Sequence, residues 1–306
     1  MADHPDDIVR ESTYEYFARD DVVAEYASFD FVLWPERRIF EELRGRLASS
    51  RVLDIGVGAG RTTLQLVPIV EEYVGIDTSE KMIEACRERF GQAPGDPRFT
   101  VADVRDLRGF QDDSFDLVLF SFNGMDTVGN DDDRARSLRE IHRVTRPGGL
   151  YCFSSHNLMF ALAGFSPIRS VINVILTRPS VAVRHPREMA RVATRARGWG
   201  RINGSGRALR RRGRGLVVED RPRHEFSKEF YSSDDMIRVE KYYIDPEEQR
   251  RELASVGFGK IRLFTPDGDE ATETPARRLS RNWWIYYLCE KLGTDDVATI
   301  GATRSP

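Results

Sequence analysis

The chain has 306 residues, with 46 Lys plus Arg against 49 Asp plus Glu and a net charge of −3, which excludes a polyanion binder held by overall charge. No apolar run approaches the roughly 18 residues of a membrane span, and the three well-separated cysteines, Cys86, Cys152 and Cys289, fit neither a disulfide framework nor a zinc spacing. The opening Met1-Ala2-Asp3-His4-Pro5-Asp6-Asp7 is acidic and unlike a secretory leader, so a cytoplasmic location is expected.

Residues 8 to 48 read as helices ahead of a first strand. Tyr14, Tyr16, Phe17, Tyr26, Phe29, Phe31 and Trp34 make this part aromatic, and Pro35 marks a break. Ile39, Phe40, Leu43 and Leu47 then recur at helical spacing. Residues 1–48 are therefore expected to form a helical cap. Most of its aromatics read as packing, with Tyr14, Tyr16 and Tyr26 the candidates to close over a cofactor or substrate.

Residues 51 to 61, Arg51-Val52-Leu53-Asp54-Ile55-Gly56-Val57-Gly58-Ala59-Gly60-Arg61, run from an apolar strand into glycine at every second position. Such a turn takes dihedrals that side chains resist and lets a ligand approach the backbone closely. The spacing is G-x-G-x-G, not the G-x-G-x-x-G of dinucleotide-binding enzymes. A short helix follows and is interrupted at Pro68. Tyr73 to Asp77 is a second strand ending in an acid, 17 residues beyond Gly60, near the spacing at which a carboxylate grips a ribose hydroxyl pair. Ser79 is placed to cap the next helix, with Met82, Ile83 and Cys86 on its inner face.

Phe99 to Asp103 is a third strand and Phe115 to Phe120 a fourth, apolar beyond Asp116 as a sheet-centre strand should be. The fourth opens into Ser121-Phe122-Asn123-Gly124-Met125-Asp126. Residues 131 to 145 form a charged helix whose Leu138, Ile141 and Val144 face inward, with His142 structural beside them, and Pro147-Gly148-Gly149 stops it. Leu150 to Ser155 is a fifth strand, leading into His156 and Asn157. Strands alternating with helices predict a doubly wound α/β sheet.

Asp54 with its three glycines, Asp77, Ala102-Asp103, the Phe115-Asp116 strand and Arg146-Pro147-Gly148-Gly149 together resemble class I S-adenosylmethionine-dependent methyltransferases, in their small-molecule (type 11/25-like) group. The resemblance covers about residues 50 to 157. It implies a seven-stranded sheet of order 3-2-1-4-5-7-6, the last strand antiparallel, with the core at 49–157 completed by residues 241–306. There Pro246 to Ala254 reads as a helix, Lys260 to Thr265 as a strand and Trp284 to Glu290 as the final strand. It also implies S-adenosyl-L-methionine as cofactor, held by Asp54, Gly56, Gly58, Gly60, Asp77, Thr78, Met82, Asp103, Val104, Ser121 and Asn123, with Asp103 accepting from the adenine amino group. In an open sheet the ligand lies across the carboxyl ends of the strands, so Tyr14, Tyr26, Asn123 and Asn157 are candidates to meet the acceptor. His156 is the candidate base, with Asp126 second. No metal is expected, because no acid cluster has convincing ligand spacing.

Between the fifth strand and that ending lies an insertion, residues 158–240. Thirteen arginines stand between Arg184 and Arg223 against Glu188, Glu219 and Asp220. The stretch Arg210-Arg211-Arg212-Gly213-Arg214-Gly215 has no periodic apolar face and reads as a mobile loop. As a lid it would suit an anionic small-molecule acceptor, a sugar, glycan precursor or natural product methylated at oxygen or nitrogen. The other readings are an RNA methyltransferase that uses the arginines for phosphate contacts, against which only Trp199 is available for base stacking, and a cofactor-binding module without turnover.

Overall fold

A computed structural model describes residues 13–128, 131–158, 241–272, 279 and 282–293, with the backbone of five short strands between 209 and 237. Five parallel strands form the core: β1 (Arg51–Ile55), β2 (Glu72–Asp77), β3 (Arg98–Val101), β4 (Phe115–Phe120) and β5 (Thr145–Asn157). Two later strands, β12 (Phe258–Phe264) and β13 (Trp284–Lys291), extend it to the order 3-2-1-4-5-13-12, with β13 antiparallel to both neighbours. This is the expected 3-2-1-4-5-7-6 arrangement.

Alternation along each strand sends side chains to opposite faces. Leu53, Ile55, Val74, Ile76, Val118 and Phe120 pack with Leu138, Ile141 and Val144 of α6 (Asp131–Val144) and Leu253 of α7 (Pro246–Ser255). The other face, with Val52, Tyr73, Leu117 and Leu119, receives Ile39, Phe40 and Leu47 of α3 (Trp34–Leu47), Leu66 of α4 (Thr63–Leu66), and Ile83, Cys86 and Phe90 of α5 (Glu80–Phe90). Each fully buried Leu or Ile contributes about 1.5–3 kcal/mol. Ahead of β1 run α1 (Thr13–Phe17), α2 (Asp20–Ala27) and α3. Helix starts follow the side-chain chemistry: Ser79 Oγ accepts from the Met82 amide at the head of α5, and Asp245 accepts from the Glu247 amide ahead of Pro246.

Two local expectations need correction. α6 ends at Val144, and Pro147-Gly148-Gly149 lie inside β5, which starts at Thr145 and shifts register against β4 between Phe115 and Leu117. The sequence carries both a helix stop and a bulge signal there, and the bulge accommodates the proline. Residues Arg210 to Arg212, read as a loop, belong to β6 (Leu209–Arg212), which pairs antiparallel with β7 (Gly215–Val218). A hairpin needs no apolar periodicity in both strands, and Val217 and Val218 favour pairing. Two more short strands, β9 (Phe230–Tyr231) and β10 (Met236–Ile237), pair with each other. Apart from these strands, Leu158 and residues 224–227, the proposed lid, Trp199 included, lies outside the described residues.

β8 (His224–Ser227) pairs antiparallel with β11 (Lys241–Ile244), and β11 runs parallel to the end of β5, Tyr243 opposite His156 and Ile244 opposite Asn157. β13 occupies the other edge of β5 as far as His156, and β4 reaches only Phe153. β11 therefore takes the edge that β4 vacates.

Candidate functional site

A cavity opens at the carboxyl ends of β1, β2 and β4. It is lined by Gly56 and Gly58 from the glycine turn, Asp77 at the end of β2 with Thr78 and Met82 beyond it, Asp103 and Val104 beyond β3, and Phe120 at the end of β4 with Ser121, Phe122, Gly124, Thr127 and Val128 beyond it. Tyr14 and Phe17 of α1 and Tyr26 of α2 close its side. A second groove, between α6 and α7, is lined by Leu138, His142, Glu252 and Val256; its carboxylate is already committed to Arg134.

The glycine turn is shaped by what lies against it. Gly58 has φ +54°, and a Cβ there would meet the Tyr26 ring at 3.2 Å. A Cβ on Gly56 would stand 2.9 Å from the Phe120 ring, and one on Gly124 only 2.1 Å from it. Phe120 thus sits in the space that two glycines, 68 positions apart in sequence, leave open.

Asp77 is bound on both oxygens: Oδ2 accepts from the Gly58 amide at 3.0 Å and Oδ1 from the Ser79 amide at 2.9 Å. Burial raises its pKa, against the pull of those amides. The acid that ends β2 therefore fixes the glycine turn while standing in the cavity wall. Asp103 is held by Arg105, whose Nε lies 3.0 Å from both oxygens and Nη2 2.6 Å from Oδ2. Burial works against its charge, but Arg105 keeps the carboxyl below its usual range. Tyr14 accepts from Arg105 Nη2 at 2.6 Å and donates to Asp103 at 3.4 Å, so α1 is tied across this end of the cavity.

Other named residues lie behind the wall. Asp54 is buried, accepts from Thr62 and from the Tyr73 hydroxyl at 2.6 Å, and is pushed up to about 6 by desolvation. Gly60 abuts Phe90. Asn157 is buried and gives its amide hydrogens to the carbonyls of Leu279 and Asn282, both at 2.8 Å. It does not line the cavity; its amide ties the end of β5 to residues 279 and 282. Tyr16 is also buried, in a small cluster with Val22, Ala59 and Met82.

Asp126 and His156 form a pair. Asp126 Oδ2 lies 2.6 Å from His156 Nδ1 and accepts from the His156 amide at 2.6 Å, while Oδ1 accepts from Ser155 Oγ at 2.5 Å. A carboxylate so placed can only accept, so Nδ1 is the ring nitrogen that donates to Asp126. Arg134, also buried, approaches Asp126 Oδ1 at 3.8 Å and stacks over Tyr242. Neither Asp126 nor His156 lines the cavity; His156 stands between Tyr243 and Trp283 at ring distances of 5.0 and 6.2 Å.

The strand-four exit is strained. Phe122 and Asn123 have φ of 56° and 61°, a left-handed conformation that costs Phe122 about 1–2 kcal/mol and that Asn adopts more readily. The turn is pinned by the Asn123 amide donating to Ser154 Oγ at 2.7 Å and by the Asp126 amide donating to the Asn123 carbonyl at 3.1 Å.

Sequence reasoning missed a buried network beside this turn. Glu36 accepts from both Nη atoms of Arg61 at 2.6 Å, from Tyr286 at 2.6 Å, from Ser121, and from the Leu33 amide at 2.7 Å. Burial raises its pKa, yet Arg61 and the hydroxyls hold the carboxyl below its ordinary value. Arg61 was visible as the residue after the third glycine. Glu36 was visible too, one turn before Ile39 and Phe40 on the apolar face of α3.

Among the described residues no group of three His, Cys, Asp or Glu side chains is placed to hold a metal, and no helix is long and apolar enough to cross a membrane.

Residues 52–149 match a family described as a methyltransferase domain. The uncharacterized methyltransferase YcgJ of Bacillus subtilis (strain 168) is 34% identical over 111 residues, 36% of this chain and 42% of that protein. The demethylmenaquinone methyltransferase of Clavibacter sepedonicus is 38% identical over 105 residues, 34% of this chain and 40% of that protein. The chain thus spans about two fifths of the length of these relatives. In fold, a solved S-adenosylmethionine-dependent methyltransferase from Clostridium acetobutylicum ATCC 824 is similar with a TM-score of 0.51 at 14% identity, over 87% of this chain and 94% of that one.

Proposed function

We propose that this chain is a class I S-adenosylmethionine-dependent methyltransferase, a reading supported by the methyltransferase-domain match of residues 52–149, and that it methylates a small-molecule acceptor at oxygen or nitrogen. The observation that carries the reading is the cavity itself, where the glycine turn, Asp77 and Asp103 meet at the strand ends.

The residues present fit S-adenosyl-L-methionine. Gly56 and Gly58 offer backbone without a Cβ, Asp77 is oriented by two amides toward a role on the ribose hydroxyls, and Asp103 with Val104 forms the wall suited to the adenine. Thr78 and Met82 line the same wall. The cofactor, when bound, supplies an activated methyl group on a sulfonium. The chain's own residues then have the tasks of binding, orientation and water exclusion. Tyr14, Phe17 and Tyr26 cover the nucleoside side, and Phe122, 40% exposed, stands at the rim open to an acceptor. For an alcohol acceptor His156 is the proposed base, its tautomer held by Asp126. The near-neutral charge and a relative named for demethylmenaquinone support a small molecule rather than a nucleic acid.

Calorimetry with S-adenosylmethionine and its demethylated product tests the premise, with one site per chain expected. Asp77→Ala is expected to weaken both by about 1.5–3 kcal/mol, the range for bonds to a charged group. Binding of neither nucleoside to the folded wild type would overturn the proposal. Equal binding by Asp77→Ala would remove Asp77 from the ribose.

A further inference from the structure

The exposed hydrophobic surface of this molecule is confined to one end. Among the described residues five large aromatic side chains are exposed, Tyr14, Phe31, Trp34, Phe122 and Trp283, with Trp34 at 66% and Trp283 at 55%. Each is held at the carboxyl ends of the strands. Tyr14 is bonded to Asp103 and Arg105 beyond β3. Phe31 and Phe122 lie against the Arg61 guanidinium beside the glycine turn, at 5.8 and 5.1 Å. Trp34 opens α3, whose Glu36 reaches Arg61 and Ser121. Trp283 stands edge-on to His156 at 6.2 Å and precedes Trp284, which lies opposite that histidine at the end of β5. Two exposed aliphatics, Leu64 just after the glycine turn and Val101 ending β3, share the same end. The opposite end of the sheet exposes no large hydrophobic side chain among the described residues.

The chain that departs from this end has a matching composition. It leaves the sheet after Asn157 and returns with Ile244 beside that residue. The nineteen residues from Leu158 to Leu176 carry one charge, Arg169, and are interrupted by Gly164, Pro167 and Asn173, too often for a membrane span. From Arg184 to Arg223 follow thirteen arginines against three acids. Positive charge and apolar sequence are thus tethered where the aromatic rings are exposed. Nucleic acid would meet the arginines but has no use for a nearly uncharged apolar stretch. A bilayer surface uses both, with aromatic rings entering the headgroup region and arginines meeting anionic lipid. We infer that the carboxyl-end face docks on an anionic lipid surface, lying on the bilayer without crossing it. The cavity opens on that face, so its mouth is turned toward the headgroups. This docking goes beyond the methyltransferase reading and does not depend on it.

Co-sedimentation of the full chain with lipid vesicles tests this, using phosphatidylcholine alone and phosphatidylcholine mixed with phosphatidylglycerol. The chain should partition onto the mixed vesicles about tenfold or more tightly than onto the neutral ones, and raising salt from about 0.1 to 0.5 M should release it. Trp34→Ser/Trp283→Ser changes two exposed rings outside the cavity lining. It should weaken partitioning onto mixed vesicles by about tenfold and leave the melting temperature within about 2 °C. Should the double variant melt lower, Trp34→Ser alone gives the reading, with a loss of about threefold expected. A wild type that stays in the supernatant with mixed vesicles would overturn the inference, as would equal pelleting with neutral ones. Partitioning that the variants leave unchanged would move the contact off this face and overturn it too. Two other occupants have their own signatures, and each defeats the inference. One is a gel shift of labelled RNA without vesicle binding; the other is a dimer in light scattering that the double variant dissolves while vesicles bind nothing.

Discussion

At the scale of single residues, the Asp126–His156 pair has the geometry of an oriented imidazole and the burial of a core contact. The carboxylate accepts from Nδ1, from the His156 amide and from Ser155. If the ring meets an oxygen acceptor, His156→Ala is expected to lower the single-turnover rate by about 10² to 10⁴, leaving cofactor affinity unchanged. A variant that turns over at nearly the wild-type rate would leave the ring a packing role between Tyr243 and Trp283. The residue scale also marks what a sequence displays and what it hides. Asp77 and Asp103 stand out as acids that end strands, and both line the cavity. The engagement of Asn157 with two backbone carbonyls of residues 279 and 282 could not be read, because it depends on a contact more than 120 positions away.

At the scale of elements, α3 is joined to the glycine turn by charge as well as by apolar packing. Glu36 and Arg61 are both buried, with relative exposures of 0% and 7%, and removing one partner of such a pair strands the other, at a cost of about 3–5 kcal/mol. Glu36→Ala is expected to destabilise by that amount in urea denaturation, and the Glu36→Ala/Arg61→Ala double variant by less than the sum of the single losses. Additive losses below about 1 kcal/mol each would show that the pair adds little. The helix itself was legible from Ile39, Phe40, Leu43 and Leu47. Its acid was not recognised as buried, because Arg37 and Arg38 directly after it make it look like part of a solvated face. The five parallel strands were legible because each is an apolar run with a turn signal after it. The β5 start was not, since the same Pro-Gly-Gly serves a helix stop and a strand bulge.

At the scale of the whole molecule, stability should depend on pH through His142, where α6 meets β12. Burial lowers its pKa to about 4, and Lys291 adds to this while Asp113 opposes it. A base whose folded pKa lies below its unfolded value near 6.5 takes up its proton first in the unfolded chain. Stability from this residue is therefore present above pH 6.5 and is lost as pH falls toward 4. Because the ring is only half-buried, the loss is about 1–3 kcal/mol. Asp54 runs the other way, since burial raises its pKa to about 6 and the folded chain gains its proton first. Urea midpoints at pH 7 and 4.5 for wild type and His142→Gln separate the two. The variant should lose less stability on acidification, and an identical loss would exonerate His142.

The position of β11 beside the end of β5 has a consequence for how this chain can vary. The polypeptide leaves the sheet after Asn157 and comes back with Ile244 opposite that same residue, one strand spacing away, about 4.8 Å. Whatever lies between departs from and returns to a single point on the core. Such an excursion is topologically a detachable side branch: its two ends are already joined by the sheet, so its length hardly enters the folding balance. Doubling or halving it changes the closure cost by only about 0.6 kcal/mol. The intervening segment can then change in length while β1 to β5 keep their register.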